Sequence, residues 1–164
     1  MKQEKTLAMR VLEGKKVAYE VVTYSDSERD AELIAAYLGV PAGQVFKTLV
    51  VAHSPGKPLL VMIPAGAQLD LKKLAKTVNE KKLKMATHQE AEQLTGLQVG
   101  GISALALLNR GFLILIDQTA QIYSHIFVSA GQRGLNLKVP VAGLIQVTGA
   151  RYVNVIEEME SSIA

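Results

Sequence analysis

Apolar residues recur at two spacings along the chain, and the changes from one spacing to the other divide it into helices and strands. Leu7, Val11 and Leu12 follow the helical period, and Gly14 is placed to end that first helix. Residues 17–23 are rich in β-branched side chains and predict a strand, with Tyr24 at its end. Ser27 then reads as the N-cap of a second helix with Glu28 and Asp30 in its first turn; it closes near Gly39-Val40-Pro41 and buries Leu33, Ile34, Tyr37 and Leu38. Residues 45–52 and 59–63 are apolar, β-rich runs separated by Ser54-Pro55-Gly56-Lys57-Pro58, the pattern of a hairpin. Asp70 opens a helix with Leu71, Leu74, Ala75 and Val78 inward, and Thr87 to Glu90 fits a capping box for another, closed by Gly96. Short strands at 97–99, 112–117, 125–129, 135–139 and 152–156 and a helix at 141–148 complete the pattern. The hairpin and the short links between strands predict an α+β fold with a mixed, mainly antiparallel sheet.

Composition narrows the possibilities. A chain of 164 residues suits one domain spanning 1–164. No apolar run approaches the roughly 18 residues of a membrane span, and the N-terminus lacks the apolar core of an export signal, so the expected compartment is the cytoplasm, away from membranes. The absence of cysteine excludes disulfides, a thiolate zinc site and a cysteine nucleophile. His53, His88 and His125 share no metal-ligand spacing, so neither metal nor cofactor is expected, and His88 reads as part of a polar capping segment. The net charge of +3 is mild but uneven: Lys72, Lys73, Lys76, Lys81, Lys82 and Lys84 crowd one stretch, whereas Glu157, Glu158 and Glu160 make the tail acidic. Lys72, Lys73 and Lys76 are candidates to dock a phosphate backbone, or form a solvated helix face.

Two features suggest chemistry. Lys47 interrupts the apolar run Val45-Phe46-Lys47-Thr48-Leu49-Val50-Val51. Its ammonium either lines a cavity or meets a partner, or its stem reaches to water from an edge strand. Gly100-Gly101-Ile102-Ser103 and Ser129-Ala130-Gly131-Gln132-Arg133-Gly134 follow predicted strands and could aim backbone N–H groups at an anion or a developing oxyanion; ordinary glycine turns would look the same. No GxSxG elbow is present.

Taken in order, Tyr24, Val45-Phe46-Lys47-Thr48-Leu49-Val50, Gln68 to Ala75, Thr95-Gly96, the two glycine-rich loops with Ile126-Phe127-Val128 between them, and Arg133-Gly134-Leu135 resemble the YbaK/EbsC family of aminoacyl-tRNA deacylases, relatives of the editing domain of prolyl-tRNA synthetases. The resemblance implies a barrel-like α+β fold and a trans-acting deacylase that clears mischarged tRNA, with Cys-tRNA(Pro) the leading substrate and the substrate's own thiol attacking its ester. It makes Lys47 the catalytic residue and Tyr24, Thr48, Gly100, Gly101, Ser103, Ser129, Gly131, Arg133 and Asn136 substrate contacts. The implied partners are the 3′ acceptor end of a mischarged tRNA and, as a candidate, prolyl-tRNA synthetase; oligomeric state is not readable. Two departures stand out: Ala104-Leu105-Ala106-Leu107 replaces the family's Pro-Leu-Gly and basic residues after Ser103, which is expected to make the pocket wall more apolar, and Asn136 stands at an often acidic position. Alanine or another small amino acid therefore stays open as substrate, as does a non-catalytic tRNA- or synthetase-binding role.

Overall fold

A computed structural model of the chain describes residues 4–25, 30–53 and 56–158. The elements run α1 (Leu7–Gly14), β1 (Glu20–Thr23), α2 (Ala31–Leu38), β2 (Phe46–His53), β3 (Leu59–Pro64), α3 (Leu71–Val78), β4 (Leu83–Met85), α4 (His88–Thr95), β5 (Leu113–Asp117), β6 (His125–Ser129), β7 (Leu135–Pro140), α5 (Val141–Thr148) and β8 (Arg151–Val153). Short 3-10 turns occupy Ala42–Gln44, Ala104–Leu107 and Gln118–Ile122. Local chemistry explains most boundaries. The Asp70 carboxylate accepts the Lys72 and Lys73 N–H groups at 3.0 and 3.1 Å to start α3, and Thr87 and Glu90 form a reciprocal capping box on α4, which Gly96 ends in the left-handed region.

The strands form two sheets. β1, β7 and β6 make an antiparallel set of three. The other sheet has the order β4-β2-β3-β5-β8, with β2 antiparallel to β3 and β4, and β5 parallel to β3 and β8. The architecture is α+β with a mixed sheet, as expected, but the barrel is not closed: the two sheets touch through an isolated parallel bridge between Val45 and Phe127. Every residue of β3 is buried because both its faces are covered. On one side Phe46, Val50, Leu60 and Met62 meet α1, the Ala104–Leu107 turn, β6, β7 and α5; on the other Val61, Ile63 and Leu115 meet Leu74 of α3. A strand buried on both faces is continuously apolar, which is how residues 59–63 read.

Several details differ from the sequence expectation. Ser27 and Glu28 lie outside the described residues, and Asp30 is the N-cap of α2, accepting the Glu32 N–H at 2.9 Å. Leu33 and Tyr37 are 55% and 71% exposed, and α2 buries Ile34 and Ala35 instead. Ala31–Leu38 is apolar almost all round, so periodicity could not select its inner face. The first helix includes Gly14 and is capped by Lys15, the left-handed residue being Lys16. No strand forms at 97–99, whereas β4, unanticipated and preceded by Lys81 and Lys82, pairs with the end of β2. The last strand is Arg151–Val153 rather than 152–156. No helix among the described residues is long and apolar enough to cross a membrane.

Candidate functional site

The site begins with a gap in strand pairing. One edge of β2 is bonded to β3 from Phe46 to Val51, whereas the opposite edge meets β4 only from Val51 to His53 and β6 only at the Val45 bridge. Between these contacts, among the described residues, no strand is paired with that edge of β2, although β6 runs close to β2. The Ala86 N–H donates to the Val50 carbonyl at 3.0 Å, so the backbone of Val50 faces this edge. By the two-residue period of a strand, the N–H and C=O of Thr48 face it as well. A cavity of about 410 Å³ opens here, within the range of small-ligand sites. Its walls are mainly apolar, from Ile34, Val45, Phe46, Leu49, Ala91, Val99 and Ile102, and its polar groups come from Tyr24, Asp30, Lys47, Thr48, His88, Gly100, Ser129 and Asn136.

Lys47 is half-buried and has no ion-pair partner among the described residues. Burial lowers its pKa below the ordinary lysine value, while the nearby carboxylates of Glu32 and Asp30 favour its charged form. Burial raises the pKa of the Tyr24 phenol, a backbone hydrogen bond at Gly134 opposing it. Ser129 and Asn136 face each other across β6 and β7, and Asn136 is only 4% exposed. The Gly131 N–H donates to Ser129 Oγ at 3.2 Å, which engages that N–H within the loop and leaves the Ser129 hydroxyl proton as the donor.

The other sequence candidates sit behind the cavity or away from it. Gly101 is buried, and a Cβ there would lie 2.9 Å from backbone atoms of Gln132 and Arg133, so the two glycine-rich loops touch main chain to main chain. Arg133 ties the same loops from the side, donating through Nε to the Val99 carbonyl at 2.7 Å. Ser103 is 2% exposed, and its hydroxyl is a buried side-chain polar atom without a hydrogen-bond partner among the described residues. Ala104, Leu105 and Leu107 do not line the cavity, contrary to the expectation of a more apolar wall; they are buried in the main core beside α1. Lys72, Lys73 and Lys76 border a separate shallow groove with Lys81, and Lys73 Nζ donates to the Ile156 carbonyl at 2.9 Å. Sequence reasoning missed Asp30, Met85, His88 and the open edge at Thr48. The lysines around β4 hid its strand character, and His88 sits in a segment whose capping role already explained its polarity. No cluster of His, Asp or Glu that could hold a metal ion occurs among the described residues.

A sequence model described as the aminoacyl-tRNA editing domain matches residues 26–147. EbsC of Enterococcus faecalis, which carries the provisional name Cys-tRNA(Pro)/Cys-tRNA(Cys) deacylase, is 36% identical over 155 residues, covering 93% of this chain and 94% of EbsC. The proline–tRNA ligase of Geobacter metallireducens is 27% identical over 111 residues, which are 68% of this chain and 19% of the ligase. Among solved structures, a protein provisionally described as a trans-editing enzyme for prolyl tRNA synthetase superposes with a TM-score of 0.79 at 25% identity, covering 95% of this chain and 100% of that one. Hypothetical protein APE2540, at 23% identity, superposes with a TM-score of 0.84 over 92% of this chain and 99% of its own, a likeness of fold. The matched segment contains β2 with Lys47, both glycine-rich loops and the open edge between them, and on that match the chain belongs to the aminoacyl-tRNA editing domain family.

Proposed function

We propose that the protein is a trans-acting deacylase that removes a small amino acid, cysteine first among them, from mischarged tRNA(Pro), with the cavity at the open edge of β2 as its active site. The observation that carries this reading is the half-buried Lys47 without an ion-pair partner, in a cavity sized for a small ligand, in a chain of the editing family. The apolar walls suit a small side chain. Binding alone discriminates weakly between near-isosteres, so clearing an amino acid close in size to proline is work for a separate site.

In this reading the ester carbonyl lies over β2. The cysteine thiol attacks the carbonyl carbon; the C–S bond forms, the ester C–O bond to the ribose breaks, and the thiol proton ends on the ribose hydroxyl. The product is a cyclic thioester that water opens afterwards. The Lys47 ammonium and the Ser129 hydroxyl stabilise the oxyanion as it develops. Tyr24, Thr48, Gly100 and Asn136 shape the pocket around the aminoacyl ribose, Gly101, Gly131 and Arg133 fix the two loops, and Ser103 supports them from behind. Lys72, Lys73 and Lys76, which border a groove outside the cavity, would contact the tRNA backbone, and prolyl-tRNA synthetase is a candidate partner.

The test is single-turnover deacylation of tRNA(Pro) charged with cysteine, alanine or proline. Rapid loss of cysteine, with alanine and proline at their spontaneous rates, is the expected result. Preferential loss of alanine would move the substrate to another small amino acid and remove the thiol from the mechanism. Failure to accelerate any of the three would contradict the enzyme reading and favour a binding role.

A further inference from the structure

The ionisable groups around the cavity are unevenly placed along β2. At one end stand Asp30, which lines it, and Glu32, both close enough to Lys47 to favour its charge. At the other end stands His88, the first residue of α4, which lines the cavity and whose side chain has no hydrogen-bond or ion-pair partner among the described residues. Beyond that end the surface is basic. Met85 of β4 lines the cavity, and Lys84, Lys82 and Lys81 lead away from it, all exposed. Lys81 then borders the shallow groove that Lys76 shares.

The carboxylates along this face are already engaged. Glu80 holds His53 at 2.9 Å, Glu90 serves the α4 cap and lies 3.8 Å from Lys84, Glu92 accepts the Val99 N–H at 2.9 Å, and Asp70 caps α3. Hydrogen bonds fix these carboxylates in place without removing their charge, whereas Lys76, Lys81 and Lys82 have no ion-pair partner among the described residues and can meet an anion. An aminoacylated nucleotide has matching asymmetry: a cationic α-ammonium at one end and anionic phosphodiesters at the other. Complementary charge of this kind fixes orientation.

Resting on the deacylase reading, we propose that the face from Lys76 through Lys81, Lys82 and Lys84 to His88 is the track along which the ribose-phosphate backbone of the tRNA acceptor end enters, placing the α-ammonium toward Asp30 and Glu32. His88 meets the last phosphodiester at the cavity mouth. It is a positioning residue: it orients the substrate and takes no part in breaking the ester.

The experiment titrates uncharged tRNA against the protein at several salt concentrations, comparing the native chain with a Lys82→Gln, Lys84→Gln double variant and with a Lys15→Gln, Arg151→Gln control of equal charge change outside the track. The track variant is expected to bind more weakly and to lose about two from the slope of log affinity on log salt, about one per phosphate contact, while the control keeps the native slope. Equal slopes for all three proteins, a larger loss in the control, or no tRNA binding by the native chain at low salt would overturn the track. A second measurement addresses orientation. His88→Asn should raise KM for mischarged tRNA at unchanged kcat and leave cleavage of the corresponding aminoacyl-adenosine, which has no phosphate, as it was; an equal effect on both substrates would contradict the assignment. Track-dependent tRNA binding without deacylation would retain the track and reject the deacylase reading, so the two failures are distinguishable.

Discussion

Burial and charge pull Lys47 in opposite directions. Desolvation in the cavity disfavours its ammonium and lowers its pKa, and Glu32 and Asp30 recover part of that loss. A lysine with a lowered pKa loses its proton sooner than a free lysine as pH rises. Deacylation that depends on the ammonium should therefore fall, after correction for spontaneous ester hydrolysis, at a pH below the ordinary lysine range; a pH–rate profile flat to the ordinary range would contradict a role for that charge. Gly101 makes a different demand. Any side chain there meets backbone of the second loop at 2.9 Å, so Gly101→Ala should force the loops apart, cost about 1–3 kcal/mol in a denaturation experiment and lower the single-turnover rate. Lys47 stood out in the sequence because an ammonium in an apolar run needs an explanation, but the run alone fitted an edge strand as well, and it was the family resemblance that singled it out. The steric need at Gly101 was not, since a glycine pair in a loop looks the same whether or not another backbone presses against it. His88 was hidden because its capping segment explained a polar residue without a cavity.

At the scale of elements, α4 and β4 bring His88, Met85 and Ala91 to the cavity, so the cap that starts α4 bears on the site. Thr87→Ala removes one half of the capping box and is expected to cost about 1 kcal/mol of stability, read as a shift in the denaturation midpoint. The Glu90 carboxyl, held below the usual range first by the Thr87 backbone N–H and then by the Thr87 side chain and Lys84, would keep that backbone bond, whereas the Glu90 N–H would lose the Thr87 hydroxyl as its acceptor. This cap, the Asp70 cap and the β2–β3 hairpin were legible because each rests on short-range chemistry. The inner face of α2 and the existence of β4 were not. An almost wholly apolar helix has no preferred face by periodicity, and Leu83-Lys84-Met85 becomes a strand only because the end of β2 offers it an edge.

Across the whole molecule, the cavity lies where closure fails. Two sheets that touch at Val45 and Phe127 leave part of one edge of β2 unpaired, and the glycine-rich loops, α2 and α4 roof that gap into a cavity. The order of motifs along the chain announced the family, and with it the fold, but an open seam is a property of strand pairs far apart in sequence that local pattern does not carry. The central claim is that this seam, around Lys47, is where the ester bond is broken. Single-turnover deacylation of Cys-tRNA(Pro) by the native protein and by Lys47→Ala, each confirmed folded by its thermal melt, tests it most directly. The account predicts that the substitution keeps the fold and slows deacylation about a hundredfold or more, as loss of a group that stabilises the transition-state oxyanion does. A folded Lys47→Ala protein that deacylates at the native rate would place the chemistry elsewhere.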